Sequence, residues 1–275
     1  MDLSQAVEKT IAYGSYFNFP LSAEEVHFWL ISPHPVSKSA IKKYLPVLKP
    51  EEILLRKTLL KNTRQKEKIT IKFIKYARFI PSIRLIAHTG SVAVNNSKKD
   101  DDLDLLIITS PHTLWLTRVL LLLLLSLKFK RRHPGDNASQ TKNTFCPNLW
   151  LDTLSLSVPK NRRNIYTAHE VLQVRPLFDR GRTHAKFILA NSWTKHYLAN
   201  AYSSFSEQRK ESPVIPGSTR NLYKLLIPLN FIAFLIQYLY MLPKKTSEAV
   251  SLHAAYFHKT DFSSPLKKYL GNKSV

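Results

Sequence analysis

The chain has 275 residues, enough to bury a substantial core in one large domain or two smaller ones. With 44% hydrophobic and 11% aromatic residues it reads as globular rather than disordered. Its 41 Lys+Arg against 19 Asp+Glu give a net charge of +22, which attracts polyanions: nucleic acid, nucleotide phosphates or an anionic membrane surface. One cysteine, Cys146, rules out an internal disulfide and a CxxC metal site. Six glycines leave neither of the usual Gly-rich phosphate cradles. The opening residues MDLSQAVEKTIAY have acids and polar residues where a secretion signal has a basic end and an apolar run, so the expected compartment is the cytoplasm.

Residues 4–17 place Ala6, Ile11, Tyr13 and Phe17 at helical spacing, ending near Pro20. Ser22 reads as an N-cap, with Glu25 completing a capping box for a helix over 23–31. Ser37 or Ser39 caps a third helix over 40–45. Three short helices ahead of an expected hairpin resemble a winged-helix module; the alternative is a helical subdomain packed on the rest of the chain. Residues 51–80 are basic and helix-friendly, with Ile71, Phe73, Ile74 and Phe79 as the expected apolar stripe and Pro81 as the stop.

A short β-branched strand is expected at 83–88, then a Thr89-Gly90-Ser91 turn opening a short helix. LDLLIIT (103–109) is nearly continuous in apolar residues and reads as a strand buried on both faces. Ser110 and Pro111 look like the N-cap and first residue of a helix over 112–130. Its apolar run Val119–Leu125 is far short of the roughly 20 residues of a membrane span, so a core helix is expected. The basic end Lys128, Lys130, Arg131 and Arg132 reads as a solvated last turn, with phosphate contact as the alternative. A loop over 133–144, strand character over 149–158 broken near Asp152, and helices over 167–174 and 182–198 follow. Residues 211–220 look like a linker. The run 225–242 is flanked by Lys224, Lys244 and Lys245 like a membrane segment. Pro228, Asn230 and Gln237 tip the reading toward a buried helix, with membrane association the less favoured alternative.

Chemistry concentrates in one place. Of the 19 acids, four fall at 100–104 (Asp100, Asp101, Asp102 and Asp104), just after Thr89-Gly90-Ser91. Side chains two apart on a strand share a face, so Asp102 and Asp104 project together. Paired carboxylates repel unless a cation lies between them, which suits one or two Mg²⁺ or Mn²⁺ ions. A Gly-Ser turn opening a helix offers backbone N–H groups and a hydroxyl to phosphate. Metal ions plus a phosphate clamp are most of what phosphoryl-type transfer needs.

Gly90-Ser91 followed by Asp102-Leu103-Asp104-Leu105 resembles the core motif of DNA polymerase β-like nucleotidyltransferases. The stretch 83–200, with LWLTR (114–118), YTAHEV (166–171) and RPLFDR (175–180), is also similar to uncharacterised bacterial proteins carrying a nucleotidyltransferase domain. The resemblance implies an α/β fold, a small mixed sheet with helices on one side, flanked by N-terminal and C-terminal helical regions. It divides the chain into an N-terminal module (1–65), a nucleotidyltransferase domain (66–200) and a helical C-terminal region (201–275). It implies that Gly90 and Ser91 contact an NTP, ATP foremost, that Asp102 and Asp104 bind the metal, and that a third carboxylate on a neighbouring strand completes the site. Asp152 is the expected third carboxylate, with a turn aspartate as the alternative. The expected partners are a nucleotide and, through the basic surface, nucleic acid.

Other signals carry less. Asp100 and Asp101 read as flanking charge, and Arg175, Arg180 and Arg182 as solvated basic helix ends, with a grip on phosphate as the alternative. His169-Glu170 lacks an HExxH partner, and His253 and His258 are five apart, not the four of a helical metal pair.

Overall fold

The computed structural model describes residues 2–133, 135–207, 226–244, 248–257 and 262–271. The first helix, Leu3–Tyr16 (α1), starts at Asp2, whose carboxylate caps it while Gln5 returns the bond. Ser22 and Glu25 form the expected capping box on Ala23–Phe28 (α2). Ser37 caps Lys38–Ile41 (α3), which tightens into a 3-10 turn at Lys42–Tyr44. These helices close a small core around Val7, Val26, Leu30 and Ile41. No hairpin follows. Pro50 takes a first-turn position and opens the 28-residue helix Pro50–Ala77 (α4), so the winged-helix pattern is not completed.

The buried seam of α4 is Leu59, Thr63, Lys66, Thr70, Phe73 and Ala77, in alternating steps of four and three. Of the expected stripe only Phe73 is fully buried; Ile71 and Phe79 face solvent. The seam contains Lys66, whose partners lie in a loop inside the fold, so apolarity alone marks the wrong strip.

Ile83–His88 (β1), Gly90–Ala93 (α5) and Leu103–Thr109 (β2) form as expected. The next helix, Leu114–Lys128 (α6), starts after Thr113 rather than Ser110. Ser110 and Pro111 belong instead to a turn in which the Thr113 hydroxyl donates to the Ser110 carbonyl. Then come Ala138–Thr141 (α7), Phe145–Asp152 (β3), Ile165–Leu172 (α8), Arg175–Asp179 (β4) and Thr183–Ala190 (α9). Ala199–Glu207 (α10), Ile227–Met241 (α11), Ala249–Val250 (β5), Ala254–Tyr256 (β6) and Ser263–Gly271 (α12) complete the order. Arg175 therefore lies in an edge strand, not at a helix end. The linker expected at 211–220 lies outside the described residues.

The strands form one mixed sheet in the order β4-β1-β2-β3-β6-β5, with β2 and β3 parallel and the other neighbours antiparallel. Alternation along β2 splits the core. Leu106 and Ile108 pack with residues of α1, α8, α9, α10 and α12, whereas Leu103, Leu105 and Ile107 pack with α4 and α6. Helices thus cover both faces of the sheet, not one. Trp115, Trp150, Phe145 and Phe187 are among the largest fully buried side chains, each stabilising by about 1.5–3 kcal/mol.

The helix at 227–241 departs from its expectation. Asn230 is its only fully buried residue, and most of its apolar side chains face outward. Among the described residues no helix is long and apolar enough to cross a membrane.

Candidate functional site

The site forms where β1 ends beside the start of β2. The Thr89 backbone N–H donates to the Asp104 carbonyl at 3.1 Å, bringing the turn onto the strand. Gly90 has φ +58, and a Cβ built there would lie 2.7 Å from Asp104 Oδ2. Glycine is therefore required twice, for a left-handed backbone and for close approach to a carboxylate.

Ser91 is held within the loop that precedes β2. Its hydroxyl donates to Asp101 Oδ2 at 2.8 Å and lies 3.1 Å from Ser97 Oγ. Asp101 also accepts from the Lys98 backbone N–H at 2.9 Å, so it organises the loop before β2 rather than merely flanking it. From below, the buried Lys66 donates its ammonium to the Asp101 carbonyl (2.7 Å), the Lys99 carbonyl (3.3 Å) and Asn143 Oδ1 (3.0 Å). Burial lowers the Lys66 pKa, and the charges of Asp101, Asp102 and Asp100 oppose that shift. Asp100 lies at the surface, 3.6 Å from Lys142.

Asp102 and Asp104 converge as expected. Asp102 Oδ2 pairs with the Arg132 guanidinium at 2.5 Å. Asp104 Oδ1 accepts from Asn148 Nδ2 at 2.6 Å. Burial pushes the Asp104 carboxyl well above the usual range, and the charges of Asp102 and Glu170 add to the shift. The parallel register sets Cys146 beside Asp104. One ligand atom from each of Asp102, Asp104 and Cys146 falls within 4.8 Å of the others. Burial raises the Cys146 pKa, reinforced by Asp104 and Asp102, so without a cation the thiol keeps its proton.

Asp152 does not join this group. It pairs with Thr109, six positions along β3 from Cys146, or about 20 Å at the usual strand rise. Its buried carboxylate accepts from the backbone N–H groups of His112 (3.1 Å) and Leu154 (2.9 Å) and meets His253 Nδ1 at 2.7 Å. It anchors the far end of the sheet, as the turn alternative has it. His258 lies outside the described residues.

Sequence reading misses four residues here. On β3, Cys146 and Asn148 stand where a third carboxylate is expected. Arg132, read first as solvated and alternatively as a phosphate contact, reaches back to Asp102 because Arg131 bridges Phe145 (Phe145 N–H to Lys130 O 2.8 Å, Arg132 N–H to Phe145 O 3.0 Å). Glu170 comes from α8, on the sheet face shared with Asp104, and burial pushes its carboxyl up to about 7. The available signal was an acid set among apolar residues in an acid-poor chain. Arg175, by contrast, is engaged structurally, with Glu67 and the Val92 carbonyl.

No known family model matches the chain, and no curated protein or solved structure matches it either.

Proposed function

We propose that the chain is a metal-dependent nucleotidyltransferase, moving a nucleoside monophosphate from an NTP, ATP foremost, to an acceptor hydroxyl with release of pyrophosphate. The observation that carries this reading is the contact between the Gly90 turn and the Asp102/Asp104 pair, where the Asp104 carboxylate lies against the turn only because residue 90 lacks a Cβ.

Asp102, Asp104 and Cys146 fit a divalent ion, because close carboxylates and a half-buried thiol are electrostatically incomplete without one. Bound there, it would neutralise phosphate charge and relieve the repulsion within the pair. Two oxygens and one sulfur suit Mn²⁺ or Zn²⁺ better than Mg²⁺, which prefers oxygen alone. Arg132 is placed to exchange its bond to Asp102 for one to a phosphate. Glu170, titrating near neutrality, would take the proton of the acceptor hydroxyl as its oxygen bonds to the α-phosphorus and the bond to the β-phosphate breaks.

Incubation with α-labelled ATP and Mn²⁺ or Mg²⁺ should label an acceptor, and Asp102→Asn/Asp104→Asn should abolish the label. Equal transfer by wild type and double variant would sink the reading. A second reading, a nucleotidyltransferase-fold protein that binds nucleic acid without turnover, is favoured by the Arg132–Asp102 ion pair and by Cys146 and Asn148 in place of a carboxylate. Salt-dependent RNA or DNA binding with no labelled product would select it.

A further inference from the structure

The helices α6 and α11 pack against each other over one face of the sheet with an inverted polarity. Asn230 Oδ1 accepts from the backbone N–H groups of Trp115 (2.9 Å) and Leu116 (3.3 Å) at the start of α6. Gln237, two turns on, donates to the Trp115 carbonyl (3.0 Å) and accepts from Arg118 (2.5 Å). The polar side chains of α11 thus point inward, and its opposite face presents Ile232, Ile236 and Leu239 to the outside. On α6 the buried positions Leu114, Thr117, Leu121 and Leu125 occupy one side, and Leu120, Leu123 and Leu127 stand exposed on the other. Ile236, Leu239 and Leu127 are 64%, 63% and 74% exposed, so the surface is open rather than grooved. Exposed apolar faces on two helices packed side by side mark a docking surface.

The rim identifies what docks. Neither α6 nor α11 contains an acidic residue. The exposed Lys128 ends α6 and the exposed Lys130 follows it, and Lys128 lies 4.8 Å over the Tyr76 ring of α4, whose nearby exposed residues include Lys72 and Lys75. Apolar centre and basic edge match the two layers of an anionic bilayer surface, acyl chains and headgroups. A second copy of the chain fits less well. Twofold pairing sets a patch against itself, bringing like-charged rims together on molecules of net charge +22. Each helix has 15 residues, about 22 Å, against a hydrocarbon core of about 30 Å, so they would lie in the surface rather than cross it.

We propose that the α6–α11 face seats the protein on an anionic lipid surface. Asp102 and Asp104 project from the opposite face of the sheet, that of Leu106 and Ile108, and so stay on the aqueous side. The inference is independent of the transfer reaction.

The test is flotation of the full chain with phosphatidylcholine vesicles, with and without phosphatidylglycerol. The protein should float with the anionic vesicles, and at least about tenfold less with phosphatidylcholine alone or in high salt. Leu123→Glu/Ile236→Glu should lose flotation with unchanged circular dichroism and melting temperature, since both side chains are exposed. Lys128→Glu/Lys130→Glu should weaken anionic binding by roughly fivefold or more per residue. Failure of the wild type to float, or flotation undiminished in Leu123→Glu/Ile236→Glu, would overturn the proposal. So would a solution dimer that this variant dissociates, which would assign the face to a second copy. Asp102→Asn/Asp104→Asn should float like wild type.

Discussion

A carboxyl that titrates at about 7, as at Glu170, keeps its proton in the fold over a range where an unfolded chain, titrating near 4.5, has released it. Stability from this group therefore falls as pH rises from about 4.5 through 7. Glu170→Gln should stabilise the fold at pH 8 by roughly 1–3 kcal/mol and have little effect at pH 4.5, while abolishing transfer. Urea unfolding at the two pH values checks this, and an equal effect at both would contradict it. Gly90→Ala meets two penalties, a left-handed backbone and a Cβ 2.7 Å from Asp104 Oδ2. Gly181→Ala meets only the first, since nothing lies within 4 Å of a Cβ there at φ +72. Both variants should lose about 1–2 kcal/mol to backbone strain, with Gly90→Ala losing more in denaturant melts.

Elements explain which parts of the site could be read beforehand. β1 and β2 are short apolar runs between turn residues, so their bounds follow from local pattern. The Ser22–Glu25 box is equally local. β4 is not legible, because Arg-Pro-Leu-Phe-Asp has no alternation and holds a proline that only an edge strand tolerates. Asp102 and Asp104 are legible because two residues of one strand carry them. Cys146, Asn148, Arg132 and Glu170 arrive by tertiary pairing, which spacing in the sequence does not record. Lys66 is hidden differently, as a charge on a helix seam whose acceptors belong to a loop more than 30 residues away. Lys66→Met would remove the ammonium donor from the Lys99 carbonyl and the Asn143 side chain, and leave the Asp101 carbonyl only the Asn143 backbone N–H. It should cost roughly 1–3 kcal/mol and speed amide exchange across residues 98–103. Unchanged exchange there would mean that the loop does not depend on the lysine.

Across the whole molecule, buried titrating groups pull stability in opposite directions. His88, with both ring nitrogens buried and unpartnered, and His169, stacked on Tyr13 at 3.8 Å, are lowered by burial to about 3. Their contribution is complete above the unfolded value of 6.5 and is lost as pH falls toward 3. Asp104 and Glu170 act oppositely, so stability from them is lost as pH rises through their elevated values. Melting temperature should peak near about pH 6 and fall on both sides, and added Mn²⁺ should flatten the alkaline limb. A flat profile from pH 4 to 8 would refute the opposition.

The parallel register of β2 and β3 has a use beyond ligand geometry. A slip of one residue would turn Cys146 to the other side of the sheet, away from both aspartates. Cys146 is also the chain's only thiol. Its alkylation rate under native conditions thus reports how open the Asp102/Asp104 site is to solvent, a clock that needs no substrate and no engineered cysteine.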